Sequence, residues 1–224
     1  MKKQICILLM AIIAIAATPV KAEDHMAEIT LNSGETMSGK IKKWWFGPFK
    51  TSVNTDMSVM DADGVEHKYN AADISSFVMD GDQIFETSYI AIPALFKSGR
   101  ILHWILGVEK KSDNAVIYWH NSYTSNSTRT AGTGSMPSRH TYSTGIVTTY
   151  SFKCAGDSIA YPFYFPGNGD VNFAIFNAHL KKTQPELVEY VKNYFKEHKQ
   201  AKKELKDNPS LMLDIYDEYL LTRQ

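Results

Sequence analysis

Ser158-Ile159-Ala160-Tyr161-Pro162-Phe163-Tyr164-Phe165-Pro166-Gly167-Asn168-Gly169 is where the chain changes its hydrophobic period. The first eight residues are rich in aromatic side chains and read as a strand, and Pro-Gly-Asn-Gly is a turn that ends it. Beyond that turn Leu187, Tyr190, Val191, Tyr194 and Phe195 fall at i, i+3, i+4, i+7 and i+8, one face of an amphipathic helix. Thr183-x-x-Glu186, with Pro185 in the first turn, reads as its capping box. Asn208-Pro209 opens another helix carrying Leu211, Ile215, Tyr216, Tyr219 and Leu220, and a shorter one is expected over 173–182. The lysines and glutamates of 196–204 alternate in sign, the pattern of a solvated helix face.

Upstream of the switch the chain reads as short strands. Glu28–Asn32 and Met37–Trp45 flank Ser33-Gly34-Glu35, while Ser58–Ala62 and Val65–Tyr69 flank Asp63-Gly64, a strong two-residue hairpin signal. Ile74–Met79 and Gln83–Ile92 bracket Asp80-Gly81-Asp82. Two later runs, 101–106 (Ile-Leu-His-Trp-Ile-Leu) and 115–119 (Ala-Val-Ile-Tyr-Trp), are apolar on both faces and suit central strands, although a buried helix would carry the first pattern too. Gly145–Lys153 is the next strand. The exception is 121–144, rich in Ser, Thr and Gly, which is expected to be a flexible loop or hairpin tip. The fold expected is α+β: an antiparallel sheet or small barrel of about ten strands over 26–165, followed by two or three helices in 166–224.

Apolar residues at 44% and charged residues at 21% describe a globular chain of 224 residues. Lys and Arg number 24, as do Asp and Glu, so there is no basic excess for a nucleic acid. The first 22 residues read as a secretory signal peptide: Lys2 and Lys3, then 13 apolar residues from Ile5 to Ala17, then Val20-x-Ala22. Thirteen residues are fewer than the roughly 20 that span a bilayer, so no stable membrane span is expected after cleavage. Removing Lys2, Lys3 and Lys21 leaves 21 basic and 24 acidic residues, a formal charge of −3. Cys6 leaves with the leader, and Cys154 remains as a lone thiol with no partner for a disulfide.

Chemistry is thinly signalled. His103, His120 and His140 lack HxH or HExxH spacing, and no Cys pair supplements them, so neither a metal nor a cofactor is expected. A His-based hydrolase or metal enzyme, drawing on Glu109 or Asp113, is the alternative to a binding protein. No G-x-S-x-G occurs, and Gly167-x-Gly169 lacks the residues of a phosphate loop. Asp80, Asp82 and Glu86 are spaced like calcium ligands at first sight but suit a tight turn better. The ligand-binding residues expected are Trp44, Trp45 and Phe49, whose rings alternate across a strand, and Arg129 and Arg139, suited to a carboxylate, phosphate or sulfate.

Leu31-x-x-Gly34-x-x-x-x-Gly39-Lys40-Ile41, the run Tyr69 to Phe77 and Pro185-Glu186-Leu187 together resemble a broad group of secreted proteins of Bacteroides-type bacteria that has no established activity. That resemblance implies a periplasmic or secreted location and carries over no catalytic residue. It also implies that Asp157-Ser158-Ile159 is similar to the sequon for periplasmic O-glycans. The spacing of Gly34, Gly39, Asp63-Gly64 and Ile74 is similar to the strand rhythm of SH3-like and Sm-like barrels. The function expected is that of a non-catalytic exported envelope or secreted protein binding a glycan, a peptide or a surface partner. N-terminal sequencing of the exported protein is expected to begin at Glu23; a chain beginning at Met1 in the membrane pellet would mean an uncleaved anchor.

Overall fold

The structure is a computed structural model that describes residues 25–41, 51–52, 56–92, 100–130, 139–165, 170–171 and 173–223. Among them, twelve strands form one sheet: β1 (His25–Leu31), β2 (Thr36–Ile41), β3 (Thr51–Ser52), β4 (Asp56–Met60), β5 (Glu66–Asn70), β6 (Ile74–Met79), β7 (Gln83–Ile92), β8 (Arg100–Lys111), β9 (Ala115–Thr130), β10 (Arg139–Cys154), β11 (Ile159–Phe165) and β12 (Asp170–Val171). Four helices follow: α1 (Ala174–Thr183), α2 (Pro185–Glu197), α3 (Ala201–Asp207) and α4 (Leu211–Leu221). The protein is α+β, a mostly antiparallel sheet followed by helices.

Local chemistry sets the turns. The β4–β5 hairpin is tied by Asp61, whose carboxylate accepts from the backbone N–H of Asp63 at 3.0 Å and of Val65 at 2.9 Å, while Gly64 supplies the positive φ of +80°. Asp80 and Gly81 turn β6 into β7 with φ of +53° and +86°, and the Asp80 carboxylate accepts from the Met26 N–H at 3.1 Å. At the helices, the expected Thr183–Glu186 box does not form. Thr183 ends α1, Gln184 precedes α2 without a side-chain cap, and Pro185 sits at the start, where its missing N–H costs nothing. The charged run read as one solvated face is broken after α2, and α3 buries Ala201 and Leu205.

Sheet order runs β12-β11-β10-β9-β8-β7-β6-β1-β2-β4-β5, and β11 also pairs in parallel with β7, Ile159 opposite Tyr89 and Ala160 opposite Ile90. Strands β7 to β11 therefore close into a five-stranded ring; β6, β1, β2, β4 and β5 extend as an open sheet from β7, while β12 adds to β11 and β3 to β8. The segment expected as a flexible loop or hairpin tip, 121–144, belongs to a long hairpin and is paired for most of its length: the β9–β10 ladder runs without interruption from Ala115 opposite Cys154 to Thr130 opposite Arg139. Its polar composition suggested a loop, but Thr and Tyr favour strands, and a ladder partner satisfies the backbone whatever the side chains.

Three apolar clusters follow from this topology. Ile90, Trp104, Leu106, Val116, Tyr118 and Ala160 come from four strands of the ring and fill its lumen. Phe152, Phe163 and Ile117 meet Phe176, Leu180, Leu187, Val191, Leu213 and Ile215 between the ring and the helices. Ile29, Val59, Phe77, Phe85 and Ile105 form the core of the open sheet. One register row crosses the sheet from Met37 through Ile29, Phe77, Phe85, Gly107, Trp119, Tyr150 and Tyr164 to Val171. Gly107 is required in it, because a Cβ there would lie 2.2 Å from the Trp119 indole, which meets Phe85 edge-on with ring centroids 5.8 Å apart. Gly107→Ala is expected to lower the free energy of unfolding by about 1–3 kcal/mol in chemical denaturation, with part of the loss recovered by adding Trp119→Leu. An unchanged midpoint would show that the indole has room to move.

Candidate functional site

Closure of the ring turns one face of β7, β9 and β10 inward, and polar side chains on that face become a buried group. Glu86 and Ser88 stand on β7, Tyr118 and His120 on β9, and Thr149, Ser151 and Lys153 on β10. Two hydrogen bonds span the lumen to β7 from non-adjacent strands: Tyr118 Oη donates to Glu86 Oε2 at 2.7 Å, and Lys153 Nζ donates to Ser88 Oγ at 3.2 Å. Lys111 Nζ donates to the other Glu86 oxygen at 2.6 Å. The Lys153 ammonium also stands 5.1 Å from the centre of the Tyr118 ring, within cation–π range. Ser151 is fully buried in register with Tyr118, and its hydroxyl has no hydrogen-bond partner among the described residues.

These groups lie beneath a cleft of about 200 Å³ at one end of the ring, between the β8–β9 turn and the β10–β11 turn. Ser112 and Asp113 line it from the first turn; Ala155, Gly156 and Asp157 line it from the second. The turns are linked by a hydrogen bond from the Ala155 N–H to the Asn114 carbonyl at 2.6 Å, and α4 holds Asn114 through Asp217 at 3.1 Å. Asp157 accepts from Gln184 Nε2 at 3.3 Å.

Electrostatics follow the geometry. Burial pushes the Glu86 carboxyl up, but hydrogen bonds from Lys111 and Tyr118 outweigh it and hold Glu86 below the usual range, so it is ionised at neutral pH. Burial lowers Lys153, and the Glu86 charge opposes that shift. Burial raises Asp157, opposed by its bond with Cys154 and the Lys153 charge. Tyr118 is raised far above the ordinary phenol range by burial and by Glu86. Cys154, 2% exposed, is pushed up to about 11 by burial, the behaviour of a packed thiol and not of a nucleophile poised at neutral pH.

Of the sequence-derived candidates, Glu86 and Asp113 line the cleft and His120 faces the lumen, while the others lie elsewhere. Trp44, Trp45 and Phe49 are outside the described residues. Arg129 and Arg139 stand near the far end of the β9–β10 hairpin, and only their backbone is described; Arg139 precedes Lys153 by fourteen residues, roughly 45 Å of extended strand. His103 and His120 occupy opposite faces of the sheet: His120 turns inward, edge-on to Trp104, whereas His103 stacks on the half-exposed Tyr89 with ring centroids 4.4 Å apart. The His140 side chain is outside the described residues. Among the described residues, no group of three His, Cys, Asp or Glu could hold a metal ion. Asp80, Asp82 and Glu86 do not converge, since Asp80 bonds His25 and Met26 while Glu86 points into the lumen. Sequence reading missed Tyr118, Lys153 and Ser88. Glu86 and Ser88 at i and i+2, matched by Ser151 and Lys153, are the available signal, and that spacing also describes a solvent-facing strand.

No protein-family model, curated protein or solved structure matches the chain. No described helix is long and apolar enough to cross a membrane.

Glu86 has a lower pKa folded than unfolded, so its stabilisation is fully present above its ordinary value of 4.5 and is lost as pH falls through the folded value. Glu86→Gln is expected to cost about 1–3 kcal/mol at neutral pH, because Lys111 and Tyr118 lose a charged acceptor. It is also expected to flatten the acid limb of a stability-against-pH profile. An acid limb identical to that of the unmodified protein would show that Glu86 does not carry this linkage.

Proposed function

We propose that the protein is an exported, non-catalytic binding protein of the bacterial envelope, which seats a polar ligand, glycan or peptide-like, in the cleft at the end of the ring. The leader-like N-terminus supports export. The observation that carries the binding reading is the state of the groups under the cleft: both oxygens of Glu86 are occupied by Lys111 and Tyr118, and Lys153 stays beside that carboxylate. Glu86, ionised and held by two donors, orients a ligand without itself exchanging protons near neutral pH.

One contact favours a second reading. A lysine amine 3.2 Å from a serine hydroxyl is the geometry of a Ser–Lys acyl-transfer dyad, with Lys153 as base and Ser88 as nucleophile. Against it, Ser88 is 4% exposed and does not line the cleft, although burial lowers Lys153 toward its basic form. The two readings separate in one experiment. Native mass spectrometry with a library of oligosaccharides, short peptides and small polar metabolites is expected to give an adduct that Lys153→Met abolishes, with no turnover of p-nitrophenyl acetate. Ester hydrolysis lost in Ser88→Ala would establish the dyad instead, and an adduct unaffected by Lys153→Met would remove the cleft from consideration.

A further inference from the structure

The cleft presents two opposite charges that are near each other but not joined. Lys153 and Asp157 each act on the other's ionisation, yet no ion pair within 4 Å links them among the described residues. Each has bonding capacity left. The Lys153 ammonium has three N–H donors and gives one to Ser88, while Asp157 bonds Gln184 and Cys154, two of the roughly four acceptor positions of a carboxylate. Both line the same cleft, whose volume of about 200 Å³ lies below the range of pockets for drug-sized ligands.

The remaining lining narrows the ligand's charge. Glu86, Asp113 and Asp157 stand against Lys111 and Lys153, so the cleft has no positive excess for a bare anion. A bare cation on Asp157 would leave the remaining Lys153 donors unanswered. A molecule carrying both charges satisfies both walls, and the Tyr118 ring and Val116 offer it an apolar floor. We propose that the cleft binds a small zwitterion of the amino-acid type, its carboxylate on Lys153 and its ammonium on Asp157. This rests on the reading of the cleft as a ligand seat and specifies what it takes.

Titration calorimetry on the full chain tests it, with L-alanine and L-leucine as zwitterions, acetate and methylammonium as single-charge analogues, and maltose as a neutral ligand. Saturable binding of a zwitterion, about ten-fold or more tighter than either analogue, is expected, because each analogue keeps only one of two charge-assisted contacts. Lys153→Met and Asp157→Asn are each expected to weaken zwitterion binding by about ten-fold or more. Asp157→Asn keeps the shape and the Gln184 contact, so it reports even where Lys153→Met fails to fold. Acetate binding as tightly as L-alanine, or maltose binding lost in Lys153→Met with no zwitterion binding, would overturn the inference and leave the cleft a ligand seat. Zwitterion binding unchanged in both variants, or no binding by any of the five, would overturn the inference and the seat together.

Discussion

Along one edge β7 pairs with β8; along the other it changes partner. From Gln83 to Glu86 it pairs with β6, and at Tyr89 and Ile90 with β11. The handover occupies Thr87 and Ser88, and Thr87 Oγ1 donates to the Ile74 carbonyl at 2.6 Å just where the ladder to β6 ends. Everything else about the site depends on this change of partner. It makes the outer strands an open sheet and the inner five a ring, and it turns Glu86 and Ser88 toward a lumen instead of solvent. With β11 elsewhere, Tyr118 and Lys153 would lie on an uncovered sheet face with no opposite wall to reach.

The price of closure is charge in a confined space. Glu86 brought inside would be costly alone, since a buried carboxylate without partners is several kcal/mol unfavourable. Lys111 and Tyr118 offset that cost by bonding one oxygen each, and Lys153 adds a second positive charge nearby. Because Tyr118 and Lys153 approach β7 from strands on its two sides, the same bonds brace the ring across its width. The polar network thus specifies how the ring closes while leaving Lys153 and Asp157 facing the cleft.

Much of the architecture was legible in the sequence because it is written locally. Asp63-Gly64 and Asp80-Gly81 name their turns through residues that tolerate positive φ, and the spacing of Leu187, Val191 and Phe195 names a helix. The full length of the β9–β10 ladder was missed because Ser and Thr describe equally a loop and a strand whose partner lies close in the chain. The cleft was illegible for a different reason. Glu86, Tyr118 and Lys153 are separated by more than thirty residues at each step, and only the β7–β11 pairing, itself unmarked by any motif, makes them neighbours. Local pattern shows which face of a strand is polar; it does not show whether that face is inside.

The parallel pairing also sets an order of assembly. Tyr89 and Ile159 are seventy residues apart, so the ring's last seam forms after every strand between them exists, and contacts of such long sequence separation form slowly. Until then β7 beyond Glu86 and the whole of β11 offer unpaired backbone edges, the kind that recruit other chains. A chain emerging N-terminus first would complete β1, β2 and β4 to β6 and then wait with this seam open. The helices that follow β11 come last, and by covering Phe152 and Phe163 they hold the closing strands against the ring. Truncation within the C-terminal helices therefore bears on aggregation as much as on stability.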